Sequence, residues 1–178
     1  MFSSRAGAKL DHALTEFNLD VKKLVCADLG CSTGGFTSCL LERGAAKVYA
    51  VDTGYGVLDY KLRKDPRVVV LERTNAMHVV LPEPVNFISV DVSWTPQKLI
   101  LPHALELLTK GGNIVSLLKP HYESKNAHPT PDLVSKTVDR VVAELKDLNI
   151  NVVKIIPSPI LGEKGGNPEF LMWVRGIL

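Results

Sequence analysis

Short apolar runs alternate along the chain with segments whose apolar residues recur every three or four positions. That order predicts an α/β fold. The runs Leu24 to Leu29, Lys47 to Val51, Val68 to Leu71, Asn86 to Val90 and Asn113 to Leu118 are short and nearly continuous, as in parallel strands covered on both faces. Helical spacing predicts crossovers near Gly35 to Arg43, Leu58 to Lys64 and Pro96 to Thr109, the last stopped by Gly111 and Gly112. Pro131 to Leu148 is the clearest helix, with Val134, Val138, Val141, Val142, Leu145 and Leu148 on one side and charges opposite. Ser4 to Phe17 reads as an amphipathic helix packed at the sheet. Asn151 to Ile156 and Phe170 to Val174 read as a hairpin-like pair, separated by a Pro/Gly-rich loop from Pro157 to Pro168.

Composition narrows the class without naming a chemistry. At 178 residues the chain is expected to form a single domain over 1–178, and 46% hydrophobic with 22% charged residues excludes a disordered or collagen-like chain. No apolar stretch approaches the roughly 18 residues of a membrane helix, and no secretory signal is visible, so the cytoplasm is the expected location. A formal charge of +2 neither demands nor forbids a nucleic-acid partner. Cys26, Cys31 and Cys39 lack C-x-x-C spacing and read as packed, reduced thiols.

The sharpest local feature is Asp28-Leu29-Gly30-Cys31-Ser32-Thr33-Gly34-Gly35-Phe36, a glycine-rich turn between a predicted strand and a predicted helix. In open α/β sheets ligands bind at the carboxyl ends of strands, and glycines let them approach backbone closely. The spacing is neither G-x-G-x-x-G nor a phosphate-binding loop ending in Lys-Ser/Thr. The second strand ends at Asp52, about 20 residues past the turn, where a carboxylate can accept both hydroxyl protons of an adenosine ribose. Thr74 and Asn75 follow the third strand within reach of an adenine edge.

Taken in order, these segments and others resemble the FtsJ-like RNA methyltransferases. The residues that carry the resemblance are Ser4-Arg5-Ala6-Gly7-Ala8-Lys9-Leu10, the turn from Asp28 to Thr37, Val51-Asp52-x-Gly54-Tyr55-Gly56, Glu72-Arg73-Thr74-Asn75-Ala76, Val90-Asp91-Val92-Ser93, Leu118-Lys119-Pro120 and Gly166-Asn167-x-Glu169-Phe170. The hemolysin A-like branch, which methylates ribose 2'-hydroxyls of ribosomal RNA, is the most similar. The resemblance implies a Rossmann-like class I methyltransferase with a seven-stranded, mostly parallel sheet, helices on both faces and S-adenosylmethionine as cofactor. It implies cofactor contacts from Asp28, Gly30, Ser32, Thr33, Gly34, Gly35, Phe36, Asp52, Asn75 and Asp91, and a catalytic set of Lys9, Asp91, Lys119 and Glu169. It also implies RNA, in the form of ribosomal RNA or ribosomal subunits, as partner. That branch carries an N-terminal RNA-binding domain, and this chain begins almost at the motif that follows it, so a missing domain or a partner is expected to supply RNA affinity.

The residue chemistry agrees with these roles. Asp91 and Lys119 each close a predicted central strand, on rigid scaffold at the mouth of the sheet. A ribose hydroxyl is a poor nucleophile, so methylation needs a base or a precise alignment, and Lys119 is the candidate. An ammonium accepts no proton, so a basic role requires burial or a nearby positive Lys9. Four formal charges that cancel allow partial burial of the set. Without the resemblance, Lys9 reads as a solvated helix lysine and Glu169 as a loop acid. His121, Glu123 and His128 lack a metal-site spacing and read as a substrate-facing polar loop; no metal is expected. Lys61, Arg63, Lys64 and Arg67 beside Tyr55 and Tyr60 read equally as a phosphate-tracking patch or a solvated face. The alternatives are a small-molecule O-methyltransferase, which would need a substrate lid that the chain has little material for, and a hemolysin-like or non-catalytic RNA-binding protein. A membrane-active reading lacks any amphipathic or apolar inserting segment.

Overall fold

The structure is a computed structural model that describes residues 4–162 and 166–176. Seven strands form one sheet: β1 (Val25–Leu29), β2 (Lys47–Val51), β3 (Val68–Leu71), β4 (Val85–Val90), β5 (Leu108–Leu118), β6 (Asn151–Pro157) and β7 (Phe170–Arg175), in the order β3-β2-β1-β4-β5-β7-β6. The first five pair in parallel, as their continuous apolar runs predict, and β7 enters antiparallel between β5 and β6.

Side chains alternate across this sheet, so each strand contributes to two cores. Cys26, Val48, Phe87, Val115, Leu117 and Leu171 face α1 (Ala6–Glu16), α2 (Gly35–Glu42) and α3 (Tyr60–Lys64). Ala27, Tyr49, Ile88, Ile114 and Met172 face α4 (Gln97–Glu106) and α6 (Pro131–Asp147). The α6 helix starts on the capping hydroxyl of Thr130, which accepts from the Leu133 N–H, with Pro131 in the first turn.

Several boundaries differ from the sequence expectation. The predicted helix Pro96 to Thr109 ends at Glu106, and β5 begins at Leu108, five residues before the predicted run. Gly111 and Gly112 serve a bulge in β5 rather than a helix stop. Val85 and Phe87 of β4 pair with Leu108 and Asn113, Gly111 takes φ +71°, and a Cβ on Gly112 would sit 3.0 Å from the Asn86 carbonyl oxygen. The helix predicted from Leu58 starts at Tyr60, where Asp59 accepts the Lys61 N–H, and Leu58 packs from the preceding loop. A short turn of helix, α5 (Pro120–Glu123), occupies the start of the segment read as a polar loop. The center of the predicted loop from Pro157 to Pro168 lies outside the described residues.

Candidate active site

Alternation carries three of the implied catalytic residues to one face. Asp91 follows Phe87 and Ser89 by steps of two, Lys119 follows Val115 and Leu117, and Glu169 precedes Leu171, so all three share the face that α1 covers. Because β7 runs antiparallel, its first residue Phe170 pairs with Leu118, the last residue of β5. Glu169 thereby arrives at the same rim as Lys119. Lys9, one turn into α1, completes the group from above.

The four side chains line a single cavity of about 420 Å³. Lys9 Nζ donates to Glu169 Oε2 at 2.5 Å, and both residues are only 6% exposed. Lys119 Nζ donates to Asp91 Oδ1. Lys9 and Glu169, which without the resemblance read as a solvated lysine and a loop acid, are therefore buried partners in an ion pair. Gly162 makes room for the carboxylate, since a Cβ there would lie 2.7 Å from Glu169 Oε1. The Lys119 side chain is 12% exposed and paired with the Asp91 carboxylate, and the charge of Lys9 is compensated by Glu169.

A second cavity of about 350 Å³ adjoins the first and contains Asp52 and Asn75; Gly30, Ser32 and Asp91 line both. Asp52 clamps two turns together, accepting the Ser32 N–H at 2.8 Å and the Gly54 N–H at 2.7 Å. Gly30 is required twice over. It takes φ +86°, and a Cβ would lie 2.4 Å from the Asp91 carbonyl oxygen. Thr33, Gly35 and Phe36 line the first cavity. Gly35 also lets α1 approach, because a Cβ would meet Ser4 Oγ at 2.2 Å. Asn75 uses its side-chain carbonyl on the Met77 N–H and lines the second cavity beside Thr74.

Two residues expected on the cofactor line neither cavity. Gly34, at φ +95°, turns the chain into α2 against Leu58 and Leu62. Asp28 is fully buried beneath the turn, accepting from Thr37 Oγ1 at 2.7 Å and Ser89 Oγ at 2.9 Å. Burial lifts its carboxyl to about 7, against the lowering effect of both hydroxyls, and the charge of Asp91 adds to the rise. Asp28 thus ties β1, α2 and β4 together under the site.

His121, expected on a substrate-facing polar loop, lies in the short helix α5 and in the wall of the first cavity at 9% exposure. Its position two residues past Lys119 was the available signal. Burial first, and then the charge of Lys119, push its imidazole below the ordinary value. The basic cluster is half neutralised: Arg63 pairs with Glu72 and Arg67 with Asp65, while Lys64 lies over Tyr60 and Arg73 over Tyr55. Cys26, Cys31 and Cys39 are buried and unbridged, and burial raises all three thiols. Among the described residues, no group of three or more His, Cys, Asp or Glu is placed to hold a metal ion, and no helix is long and apolar enough to cross a membrane.

A five-stranded parallel sheet extended by an antiparallel pair, with cavities at the carboxyl ends of its strands, defines the Rossmann-like methyltransferase fold. A structure of the N-methyltransferase NodS from Bradyrhizobium japonicum superposes with a TM-score of 0.68 at 13% identity, over 99% of each chain. The FtsJ-like methyltransferase family model matches residues 2–175, and the chain belongs to that family. It is 39% identical over 183 residues to the 16S/23S rRNA (cytidine-2'-O)-methyltransferase TlyA of Mycobacterium tuberculosis, covering 97% of this chain and 68% of that protein. It is 39% identical over 181 residues to hemolysin A of Brachyspira hyodysenteriae, covering 96% of this chain and 75% of that protein. A structure from Streptococcus thermophilus that bears the hemolysin name matches at TM-score 0.92 and 36% identity, covering 99% of this chain and 67% of that one. The chain spans about two thirds of the length of the curated relatives it matches, 64% in the case of YqxC from Bacillus subtilis.

Proposed function

We propose that the chain transfers a methyl group from S-adenosylmethionine to a ribose 2'-hydroxyl of ribosomal RNA. The observation that carries the reading is the convergence of Lys9, Asp91, Lys119 and Glu169 on one cavity that joins a second at Gly30 and Asp91. Relatives named as cytidine-2'-O-methyltransferases of ribosomal RNA support a cytidine as the target.

The residues present fit the cofactor. A backbone cradle at Gly30 that a Cβ would fill, and a carboxylate at Asp52 held by two N–H groups, suit a nucleoside joined to an amino acid. Asp52 would accept the ribose hydroxyls, Asn75 would lie by the adenine, and Gly30, Ser32, Thr33, Gly35 and Phe36 would border the methionine part. When bound, the cofactor supplies an electrophilic methyl group on a sulfonium and leaves as the neutral thioether.

The protein then has to position the hydroxyl and manage its proton. Lys119, held by Asp91, faces the cavity where the hydroxyl would be aligned. The Lys9–Glu169 pair adds no net charge, so the site presents fixed dipoles to a reaction in which the sulfonium charge is lost. Formation of the carbon–oxygen bond also releases the hydroxyl proton, which ends in solvent.

Incubation of labelled cofactor with unmodified ribosomal RNA, naked and assembled into subunits, followed by ribose-methyl mapping, tests the reading. Label at a 2'-oxygen is the expected result. Label on a base, or on small metabolites alone, overturns it.

A further inference from the structure

Glu123, expected on a substrate-facing loop, lines neither cavity. Its carboxylate instead accepts the Gln97 N–H at 2.8 Å. Gln97 is the first residue of α4, and Pro96 before it makes no side-chain cap, so an acid from another segment takes that place. A carboxylate there also meets the positive end of the α4 dipole. Gln97 itself is 3% exposed, and both ends of its amide are engaged. Its Oε1 accepts from Ser116 Oγ at 2.6 Å, and its Nε2 donates to the Leu117 carbonyl at 3.2 Å.

These bonds join the stretches of chain that bracket Asp91 and Lys119. The loop from Asp91 runs into Gln97, while Ser116 and Leu117 lead into Lys119. The Lys119 carbonyl accepts the N–H groups of Tyr122 and Glu123, so α5 is a single turn that starts on Lys119 and ends on Glu123. The Lys119–Asp91 pair and the Glu123–Gln97 bond are therefore two rungs across the same two segments, 91–97 and 116–123. We infer that Glu123 is a positioning residue for methyl transfer, fastening the chain after Lys119 to the chain after Asp91 so that ammonium and carboxylate stay aligned at the cavity. The inference rests on the methyl-transfer reading above and adds what keeps that pair in register. A displacement of about 1 Å at a reacting group can cost roughly 100-fold in rate, so a bond outside the cavity can govern turnover. Burial raises the Glu123 carboxyl above its ordinary value, and the Gln97 N–H is the foremost influence opposing the rise.

In transfer assays with unmodified ribosomal RNA, Glu123→Ala should lower kcat roughly 10- to 100-fold, with the KM for RNA and the affinity for S-adenosylmethionine within about twofold. Glu123→Gln keeps an oxygen for the Gln97 N–H and should recover kcat to within about threefold of the unmodified protein. Lysine isotopically labelled at its ε-carbon gives a magnetic-resonance signal for Lys119, assigned by its loss in Lys119→Ala. That signal should shift in Glu123→Ala and return in Glu123→Gln. Equal losses of kcat in the two Glu123 variants overturn the clamp, because the charge and not the bond would then be at work. So does a loss that matches the unfolded fraction in thermal melts while the Lys119 signal stays in place. Near-normal turnover by Glu123→Ala overturns it as well. Absence of transfer by the unmodified protein counts against the activity itself, and the Lys119 signal then tests the clamp alone.

Discussion

Lys9 and Glu169 meet at 2.5 Å across 160 positions of chain, one in the first helix and the other just ahead of the last strand. Each is nearly inaccessible to water, so neither charge is tolerable without the other. Glu169→Ala should therefore destabilize the fold by about 3–5 kcal/mol, and Lys9→Met by a similar amount. The double variant Lys9→Met/Glu169→Leu should recover most of that loss while remaining inactive. Thermal melts of all three with parallel transfer assays check this; equal melting temperatures throughout would show that the pair is not coupled.

Lys119→Ala should reduce turnover by about 10²–10⁴-fold with cofactor affinity unchanged, because Lys119 borders the catalytic cavity and not the one that contains Asp52. Calorimetric titration with S-adenosylmethionine and single-turnover transfer separate the two effects. Retention of near-normal turnover would remove Lys119 from the chemistry.

Asp52→Asn should behave in the opposite sense. The amide keeps an oxygen for one of the two N–H groups of Ser32 and Gly54 but loses the charge that would draw the ribose hydroxyls. Cofactor affinity should fall by roughly 10-fold or more, as for loss of a charge-assisted hydrogen bond, with little change in turnover at saturation. An unchanged dissociation constant contradicts the assignment.

The two segments most plainly written in the sequence are the parallel core and the glycine turn, because continuous apolar runs and φ-restricted turns are local properties. The parity of the site was also present: Asp91, Lys119 and Glu169 each stand two residues from a core position on the same face. The burial of Lys9 was not, since α1 closes on Gly35 and β7 through contacts that no local pattern records. The start of β5 was hidden for a different reason. A bulge that accommodates Gly111 and Gly112 interrupts the run, and two adjacent glycines after a helical stretch look the same whether they stop a helix or bend a strand. A carboxylate at a strand end beside glycines reads as a ligand contact, whereas the hydroxyls of Thr37 and Ser89 hold Asp28 inward, beneath the turn.

Asp28 makes stability pH-dependent in a direction opposite to that of most carboxylates. Its group rises from 3.8 in the open chain to about 7 in the folded one, so the folded state holds the extra proton between those values. Stability contributed by protonated Asp28 is full below about pH 4, declines as pH climbs toward 7, and is gone above it, a span of up to about 4 kcal/mol. Asp28→Asn should flatten this slope. Urea unfolding at pH 5 and pH 8 measures it, and identical slopes in the two proteins would refute the account.

The reversal of β7 has a topological consequence. A final strand laid parallel to β5 would have delivered its leading acid to the opposite rim, some strand-length away from Lys119, and Lys9 would have been left uncompensated. Antiparallel insertion instead folds the polymer into a near-ring, whose first helix and last hairpin are fastened to each other by charge. Removing either α1 or the β6–β7 hairpin would take away one member of that charge pair and uncover part of the apolar core.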